Sequence, residues 1–481
     1  MLRKLFKNKI FIYLGTRYGT YAIQFITSLI IAGKLGPFYF GIYGFVILII
    51  NYFQQLHFGI SNSFNVLYVQ NRNNDYECNN YIWNSILLVS YLSILVLCFW
   101  LYNTFVGIDS VTKYNADKYI LWICAIAILE YFLQFFINLL RVKNKLNHVA
   151  FCQSIVVIFN FICVFLFSGE TLIISILAGY VIGDLLCVLI TIQAGVIPRF
   201  SDSIINREYH KRILKKGIFL FFYNSCFYFI IISIRTIISE NYNVDEFGLF
   251  SFAFTSSHAI LLLLSSLSFV VLPKVIGKLA SNDMNEVEST INVLRTSYIT
   301  SAHLLIYLAL CFFPLLLYIL PKYEESLTAL NLIALTVLMS TNSYSYVELL
   351  TARNKEKLLA LLSFVSLVGN CAIALFLVNL IKVNYSYVIL STMFVYFLFT
   401  FMVLKAAKKK IGVPTKKYMI LELMPVRLML PYMTAFVVSV LRLENIIWLP
   451  LIVFIIMNWK TKDKLVDIVK TLINQPSVVN L

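Results

Sequence analysis

Carboxyl groups inside long hydrophobic runs are the side chains of this sequence best suited to chemistry. Glu130 and Asp184 lie near the middle of two such runs, and Glu348 lies towards the end of a third. A charged group at the centre of a membrane-spanning helix costs about 2.5 to 3.5 kcal/mol, so its presence needs a reason. Because a buried carboxyl group can exchange a proton near neutral pH, we expect these three residues to bind a coupling ion, H⁺ or Na⁺. The alternative is a structural role, as interhelical hydrogen bonds or, for Glu348, an ion pair with Arg353.

Two arginines within hydrophobic runs are suited to binding an anion. Arg17 lies on one helical face with Gln24, and Arg235 lies on one face with Asn224. A guanidinium group binds two phosphate oxygens at once and keeps its charge at physiological pH. We expect these four residues, with Gln54 in the second run, to bind an anionic substrate. The alternative for either arginine is to extend its head group to the lipid surface.

The elements that position these side chains are membrane helices, as the composition requires. Of the 481 residues, 60% are hydrophobic and 13% are charged, whereas soluble proteins average about 25% charged residues. This composition excludes a soluble enzyme, a disulfide scaffold and a nucleic-acid-binding module, although the net charge is +16. The nine cysteines mostly lie within the runs and are expected to be free thiols.

About 12 to 14 runs are long enough to span a bilayer as helices, since each needs about 20 apolar residues. Lys and Arg concentrate in alternate connecting segments, which predicts a cytoplasmic N-terminus and C-terminus. Pro425, Pro431 and Pro450 interrupt the last two runs, so these are the least regular. The runs are 10–33, 40–64, 81–106, 119–140, 149–168, 172–193, 217–239, 247–272, 296–318, 327–350, 358–380, 386–404, 424–441 and 445–459.

The chain also repeats itself. Phe40-Gly41 follows the first run, and Phe247-Gly248 stands at the corresponding place after the seventh. Arg141 begins a basic segment after the fourth run, and Arg353 begins a similar one after the tenth, at nearly the same offset. Two repeats of six helices are typical of transporters that alternate access across the membrane. We predict six segments: an N-terminal six-helix bundle (1–195), a cytoplasmic linker (196–216), a C-terminal six-helix bundle (217–404), a basic linker (405–423), an extra helix pair (424–459) and a cytoplasmic tail (460–481).

These features resemble the Wzx-type polysaccharide flippases of the MOP exporter superfamily, which also contains MATE transporters and lipid II flippases. The resemblance rests on Arg17, on Gly33 to Pro37 followed by Phe40 to Tyr43, on Gly59, on Arg141 with its following lysines, and on Phe247-Gly248. It implies an all-α polytopic membrane protein whose two six-helix bundles form a MATE-like V, with two extra C-terminal helices.

The resemblance also implies a substrate and the residues that hold it. The substrate would be a polyprenyl diphosphate-linked oligosaccharide, such as an O-antigen or lipopolysaccharide precursor, flipped to the outer leaflet of a bacterial plasma membrane. Arg17 and Arg235 correspond to basic residues of the family. Ile234 stands where family members often have an aspartate before the second arginine, so a carboxylate partner for Arg235 is not implied. Expected partners are membrane lipids and the polysaccharide polymerase machinery.

Two other functions remain open at this level. A MATE-like exporter of small amphipathic cations would need a binding site dominated by carboxylates. A membrane-embedded polymerase or glycosyltransferase would need a large external loop with catalytic groups, and the connecting segments here are short. Motifs for nucleotides, metals or an activated nucleophile are missing from the sequence. We therefore expect a transporter without cofactor or catalytic residue.

Overall fold

The protein is a bundle of long apolar helices. The computed structural model describes residues 9–412 and 419–459, and within these ranges every regular element is helical. Ten helical segments there are long and apolar enough to cross a membrane, and two shorter apolar ones follow. The expectation of an all-α polytopic membrane protein is therefore confirmed. By the contacts between its residues, the chain divides into two compact units, Met1–Ser225 and Cys226–Leu481.

The first unit is organised around α5, which contacts α1, α2, α3 and α7. The loop after α7 is attached to α3, because the side chains of Asn80 and Asn84 hydrogen-bond the backbone of residues 204 and 206 at 2.7 to 3.1 Å. The helices of this unit are α1 (Lys9–Gln55), α2 (Ile60–Gln70), α3 (Asp75–Phe105), α4 (Asp109–Lys113), α5 (Ile120–Val142), α6 (Leu146–Leu166), α7 (Gly169–Gln193) and the first part of α8 (Arg207–Asn241).

The chain breaks twice within the first two predicted runs, once inside α1 and once between α1 and α2. Gly36 has φ 67° and ψ 173°, so α1 changes direction immediately before Pro37. This break separates the first two predicted runs as expected. The second predicted run, 40–64, was wrong as a single helix, because Phe58 and Gly59 both have positive φ (46° and 70°) and separate α1 from α2.

The second unit surrounds α12, in which nearly every residue is buried. Its neighbours are α9, α11, α15 and α17. The span containing α12 has a mean hydropathy of only 1.2, which suits a helix that faces protein on all sides and not lipid. The helices of this unit are the end of α8, α9 (Val244–Leu279), α10 (Met284–Leu294), α11 (Thr300–Ile319), α12 (Leu327–Thr341), α13 (Tyr344–Ala352), α14 (Glu356–Phe376), α15 (Leu390–Ile411), α16 (Met419–Leu423), α17 (Val426–Val440) and α18 (Leu449–Asn458).

The internal repeat is visible in where the helices break. Gly36 (φ 67°, ψ 173°) and Asn243 (φ −75°, ψ 171°) each interrupt the helical backbone, although their φ angles differ in sign. Gly36 precedes Phe40 by the same number of residues as Asn243 precedes Phe247. The position of the break, but not its conformation, therefore repeats at the offset that the two Phe-Gly pairs predict.

The ends of α5 and α13 repeat as well, with one correction. Asn144 and Asn354 both have left-handed φ (58° and 54°) and end these helices with the same backbone bonds. Aligning the two asparagines places Arg141 opposite Thr351. The predicted pairing of Arg141 with Arg353 was therefore wrong by two residues.

The first residues of the predicted basic linker, 405–423, are helical, because α15 extends to Ile411. Within it, Lys408 is buried and forms an ion pair with Glu422. The pair α17 and α18 contains only 15 and 10 residues, about 22 and 15 Å at 1.5 Å per residue. The predicted tail 460–481 lies outside the described residues.

Candidate functional site

Asp184 is the most unusual polar group of the first unit. It lies in the middle of α7 with a side chain that is 0% exposed. Within the described residues, both of its carboxylate oxygens lack a hydrogen-bond partner. The preceding Gly183 packs so closely on α6 that a Cβ there would lie 2.6 Å from Cγ2 of Val156. A buried carboxyl group without a partner is costly, which makes Asp184 a candidate ion-binding residue.

Glu130 faces the same interior and is bonded to the end of α1. The side-chain amide of Gln54 is its hydrogen-bond partner, and Glu130 also interacts electrostatically with Asp184. Two turns along α5, Asn138 accepts a hydrogen bond of 2.7 Å from the amide of Asn65 on α2. The polar face of α5 therefore binds both sides of the break between α1 and α2.

Two tyrosines that no sequence pattern indicated complete this cluster. Tyr180 lies one turn before Asp184 on α7, hydrogen-bonds Tyr43 of α1, and interacts electrostatically with both carboxyl groups. Both follow a glycine by one or two residues, in Gly41-Ile42-Tyr43 and Gly179-Tyr180, but tyrosine is too common in this chain for that pattern to be selective. Carboxylate, amide and hydroxyl oxygens together suit a proton or a hard monovalent cation. In the described part of the chain, no group of three or more His, Cys, Asp or Glu residues could hold a metal ion.

Arg17 lies near the start of α1 and is half-exposed. Its Nη2 donates to the Tyr21 hydroxyl at 2.6 Å, and its guanidinium carbon lies 4.7 Å from the centre of the same ring. Gln24, two turns from Arg17, is exposed. The tyrosine therefore orients the guanidinium group while leaving it accessible to an anion.

Arg235 has a different environment in the second unit. It is 3% exposed, and its guanidinium carbon lies 4.8 Å from the ring centre of Phe254 and 5.8 Å from that of Phe247. His258 lies close enough to interact electrostatically with Arg235. Asn224, eleven residues earlier on α8, is exposed. In this conformation aromatic rings cover Arg235, whereas the side chain of Asn224 is exposed.

Glu348 lies half-buried on α13, and the alternative ion pair with Arg353 is not formed. Arg353 instead donates a hydrogen bond to the Ser281 carbonyl oxygen. Among the described residues, the structure brings together Glu130, Asp184 and Gln54 within the first unit, whereas Glu348 belongs to the second unit.

A second polar network, also missed from the sequence, lies at the end of the second unit that contains α16. Arg295 donates to the carbonyl oxygens of Glu422 and Leu423, each at 2.5 Å, and lies over the ring of Tyr346. The Tyr346 hydroxyl donates to the Glu422 carboxylate at 2.7 Å. Helical periodicity does not detect this network, because Arg295 follows α10, Tyr346 lies on α13 and Glu422 lies on α16.

Comparisons with known proteins identify the family and the fold. Residues 6–279 match the family described as polysaccharide biosynthesis protein. No curated protein sequence matches the chain.

Several solved structures share the fold. The lipid II flippase MurJ in its inward closed conformation has a TM-score of 0.69 at 15% identity, covering 95% of this chain and 99% of that one. An inward-facing multidrug resistance MATE family transporter of the MOP superfamily has a TM-score of 0.65 at 10% identity, covering 84% and 98%. A MOP superfamily transporter from Pyrococcus furiosus, whose binding pocket is described as having reverse polarity, has a TM-score of 0.59 at 11% identity, covering 84% and 95%. The predicted MATE-like fold is thereby confirmed.

Proposed function

Because this chain belongs to the polysaccharide biosynthesis protein family, we propose that it flips a polyprenyl diphosphate-linked oligosaccharide from the cytoplasmic to the outer leaflet of the bacterial plasma membrane. Both termini are cytoplasmic in this proposal, and transport occurs by alternating access. The observation that carries it is the placement of ion-binding and anion-binding groups in apolar helices: buried Asp184 without a partner, and Arg17 oriented by Tyr21.

The coupling ion binds at Asp184, with Glu130 as the second carboxyl group. A cation at Asp184 would supply the hydrogen bond or ionic contact that both carboxylate oxygens lack. Gln54 bonds Glu130 from the segment of α1 that follows the break at Gly36, whereas Arg17 lies on the segment before it. Binding of H⁺ or Na⁺ therefore changes the charge next to the second segment of α1, which is joined to the Arg17 segment through that break. Glu348 is a further proposed ion site, supported only by its place within an apolar helix.

The diphosphate binds Arg17, and the sugars contact the exposed amides of Gln24 and Asn224. A charge-assisted bond between a guanidinium group and phosphate is about twice as strong as a neutral hydrogen bond. Arg235 is a second proposed diphosphate ligand, and in this role it requires a conformation in which Phe254 no longer covers it. The polyprenyl tail stays in lipid, because burial of apolar chain in a bilayer needs no protein partner.

A MATE-like exporter of small amphipathic cations is the second candidate. The specific observation in its favour is the pair of carboxyl groups, Glu130 and Asp184, inside one unit. The sign of the transported group separates the two functions. An anionic diphosphate requires the arginines, whereas an organic cation would bind the carboxylates directly and would not need Arg17.

The deciding experiment measures the leaflet accessibility of a fluorescent polyprenyl diphosphate oligosaccharide in proteoliposomes. The variants are Arg17→Ala, Arg235→Ala and Tyr21→Phe, with Arg442→Ala as the matched control at the far end of α17. We expect Arg17→Ala to abolish transport and Tyr21→Phe to reduce it several-fold, since the ring remains but the hydroxyl contact is lost. Normal transport by Arg17→Ala and Arg235→Ala would remove the diphosphate sites and leave the flippase. Absence of transport by the wild type, combined with export of an organic cation, would favour the second candidate.

Ion coupling is tested in the same liposomes with imposed H⁺ or Na⁺ gradients. We expect Asp184→Asn to bind substrate normally and to lose the gradient dependence of transport. Glu324→Gln, an exposed carboxyl group of the second unit, serves as the control and should respond to the gradient like the wild type.

A further inference from the structure

The second unit contains a polar cavity of about 160 Å³. This volume is well above the roughly 10 to 15 Å³ that one water molecule needs. Its wall includes helix residues from α10, α13, α16 and α17, and the charged or hydrogen-bonding ones are Glu288, Asn292, Arg295, Tyr346, Glu422 and Arg427. We call it the Arg427 pocket.

The two arginines of this pocket have different roles. The guanidinium group of Arg295 is fixed by carbonyl oxygens of residues 342, 422 and 423, and it stacks on Tyr346. Arg427 is half-buried, and within the described residues its side chain has neither a hydrogen-bond nor an ion-pair partner. Arg295 is therefore part of the wall, and Arg427 is the cation available to a ligand.

The carboxylates around the pocket leave a positive balance. Glu422 accepts a hydrogen bond from Tyr346 at 2.7 Å and forms an ion pair with buried Lys408, so its charge is already compensated. Glu288 is exposed and lies at the rim. Counting Lys408, three cations and two anions surround the pocket, and the unpartnered cation is Arg427.

The backbone adds to this preference for an anion. The helix α17 begins at Val426 directly after Pro425, and no side chain caps its first turn. Pro425, Arg427 and Leu428 all line the pocket, so the N-terminal end of α17 opens onto it. Free N–H groups and the positive end of the helix dipole at such a terminus favour a negatively charged group.

We propose that the Arg427 pocket binds the phosphate group of a phospholipid from the cytoplasmic leaflet. Basic pockets between membrane helices on the cytoplasmic side are suited to lipid head groups. The leaflet assignment rests on the orientation in the proposed function, which places the segment around residues 405–423 in the cytoplasm. The lipid attaches α17 to α10 through its phosphate, with Arg427 as the ligand and Arg295 as the supporting residue.

The test measures phospholipid binding to the purified full chain in detergent by native mass spectrometry, with phosphatidylglycerol as the probe. We expect Arg427→Gln to weaken binding about tenfold, since a hydrogen bond to a charged group is lost, and Arg427→Lys to weaken it less, because the charge remains. Arg442→Gln, at the other end of α17, is the matched control and should bind like the wild type. The side chain of Asn458 donates to the backbone carbonyl of Arg427 at 3.0 Å, a contact that substitution of the arginine side chain leaves intact, so the variants should fold.

Equal binding of phosphatidylglycerol by the wild type and Arg427→Gln would overturn the proposal. Inorganic diphosphate forms the second arm of the experiment. If it binds in an Arg427-dependent manner while phosphatidylglycerol does not, the phosphate comes from a soluble or substrate source and the lipid assignment is wrong. Neither measurement involves transport, so failure of the flippase proposal and failure of this one can be told apart.

Discussion

Gly217 on α8 crosses Gly59 so closely that a Cβ at position 217 would lie 3.2 Å from the Gly59 carbonyl oxygen, and it would also collide with the Ser63 hydroxyl group. Substitution of Gly59 is equally restricted, since a Cβ there would lie 2.8 Å from the Cβ of Phe221. The first part of α8 is thus in direct backbone contact with the break between α1 and α2. This break is the same one that Gln54 and Asn65 connect to α5.

Gly59→Ala should destabilise the protein by about 2 to 5 kcal/mol. Its φ of 70° costs an L-residue roughly 1 to 2 kcal/mol, and the contact with Phe221 adds about 1 to 3 kcal/mol of overpacking. Thermal unfolding of the purified protein in detergent measures the effect. Gly107→Ala is the matched control, because Gly107 has φ 78° and nothing within 4 Å of its Cβ position. Equal losses of stability in Gly59→Ala and Gly107→Ala would show that the contact of Gly59 with α8 adds nothing to the cost of the backbone strain.

The hydrophobic runs and the repeat predicted most of the fold because both follow from local sequence. Membrane helices satisfy their own backbone hydrogen bonds, so an apolar run of sufficient length is nearly enough to define one. The break at residues 56–59 was missed because a positive φ at a non-glycine residue such as Phe58 leaves no mark in hydropathy. The buried ion pair of Lys408 was missed for a similar reason: a lysine that follows an apolar run looks the same whether it faces water or a glutamate from the next helix.

The site residues were predictable as individuals but not as a set. An ionisable group in an apolar run is conspicuous, so Glu130, Asp184 and Arg235 stand out in the sequence as candidates. Their neighbours depend on which helices meet, and this information is not periodic. Asn370 illustrates the difference: its amide donates to the carbonyl oxygen of Ile230 at 2.6 Å, whereas the Oδ1 of Asn160, at a similar place in the first repeat, has no partner among the described residues.

Asp184→Asn should make the protein more stable while impairing coupled transport. The substitution keeps the shape of the side chain and, at alkaline pH where the carboxyl group is ionised, removes a charge from a fully buried position. An unpaired ionised group there is more costly than a neutral one, so we expect a gain of about 1 kcal/mol in thermal unfolding at alkaline pH. Glu324→Gln, on an exposed side chain, should change stability by less than about 0.5 kcal/mol. A clear loss of stability in Asp184→Asn would mean that the carboxylate is satisfied within the folded chain, and the ion site would have to lie elsewhere.

Two lysine–glutamate pairs should differ sharply in their contribution to stability. Lys408 and Glu422 are 5% and 11% exposed, whereas Lys118 and Glu170, at 2.8 Å, are 61% and 41% exposed. Removing one partner of a buried pair costs about 3 to 5 kcal/mol, whereas an exposed pair contributes little because water and salt screen it. We therefore expect Lys408→Met to lower the unfolding temperature strongly and Lys118→Met to have little effect. Sensitivity to added salt gives a second comparison, because only the exposed pair is screened. Similar losses in the two variants would contradict the assigned burial.

The paired asparagines at the ends of α5 and α13 give a test of the repeat that is independent of transport. Asn144 and Asn354 have φ of 58° and 54°, and in each case the next residue donates its N–H five residues back along the chain, to Leu140 and Leu350, at 2.9 Å. This is a helix ending that favours glycine, tolerates asparagine and disfavours other residues. Substitution by alanine should therefore cost about 1 kcal/mol at each position, whereas substitution by glycine should be neutral or slightly stabilising. Thermal unfolding of the four single variants measures this.

A similar alanine penalty at both positions is expected if the two halves end these helices in the same way. A penalty at only one of them would show that the other asparagine is kept for its side chain and not for its backbone, and the repeat would then be limited to the helix lengths.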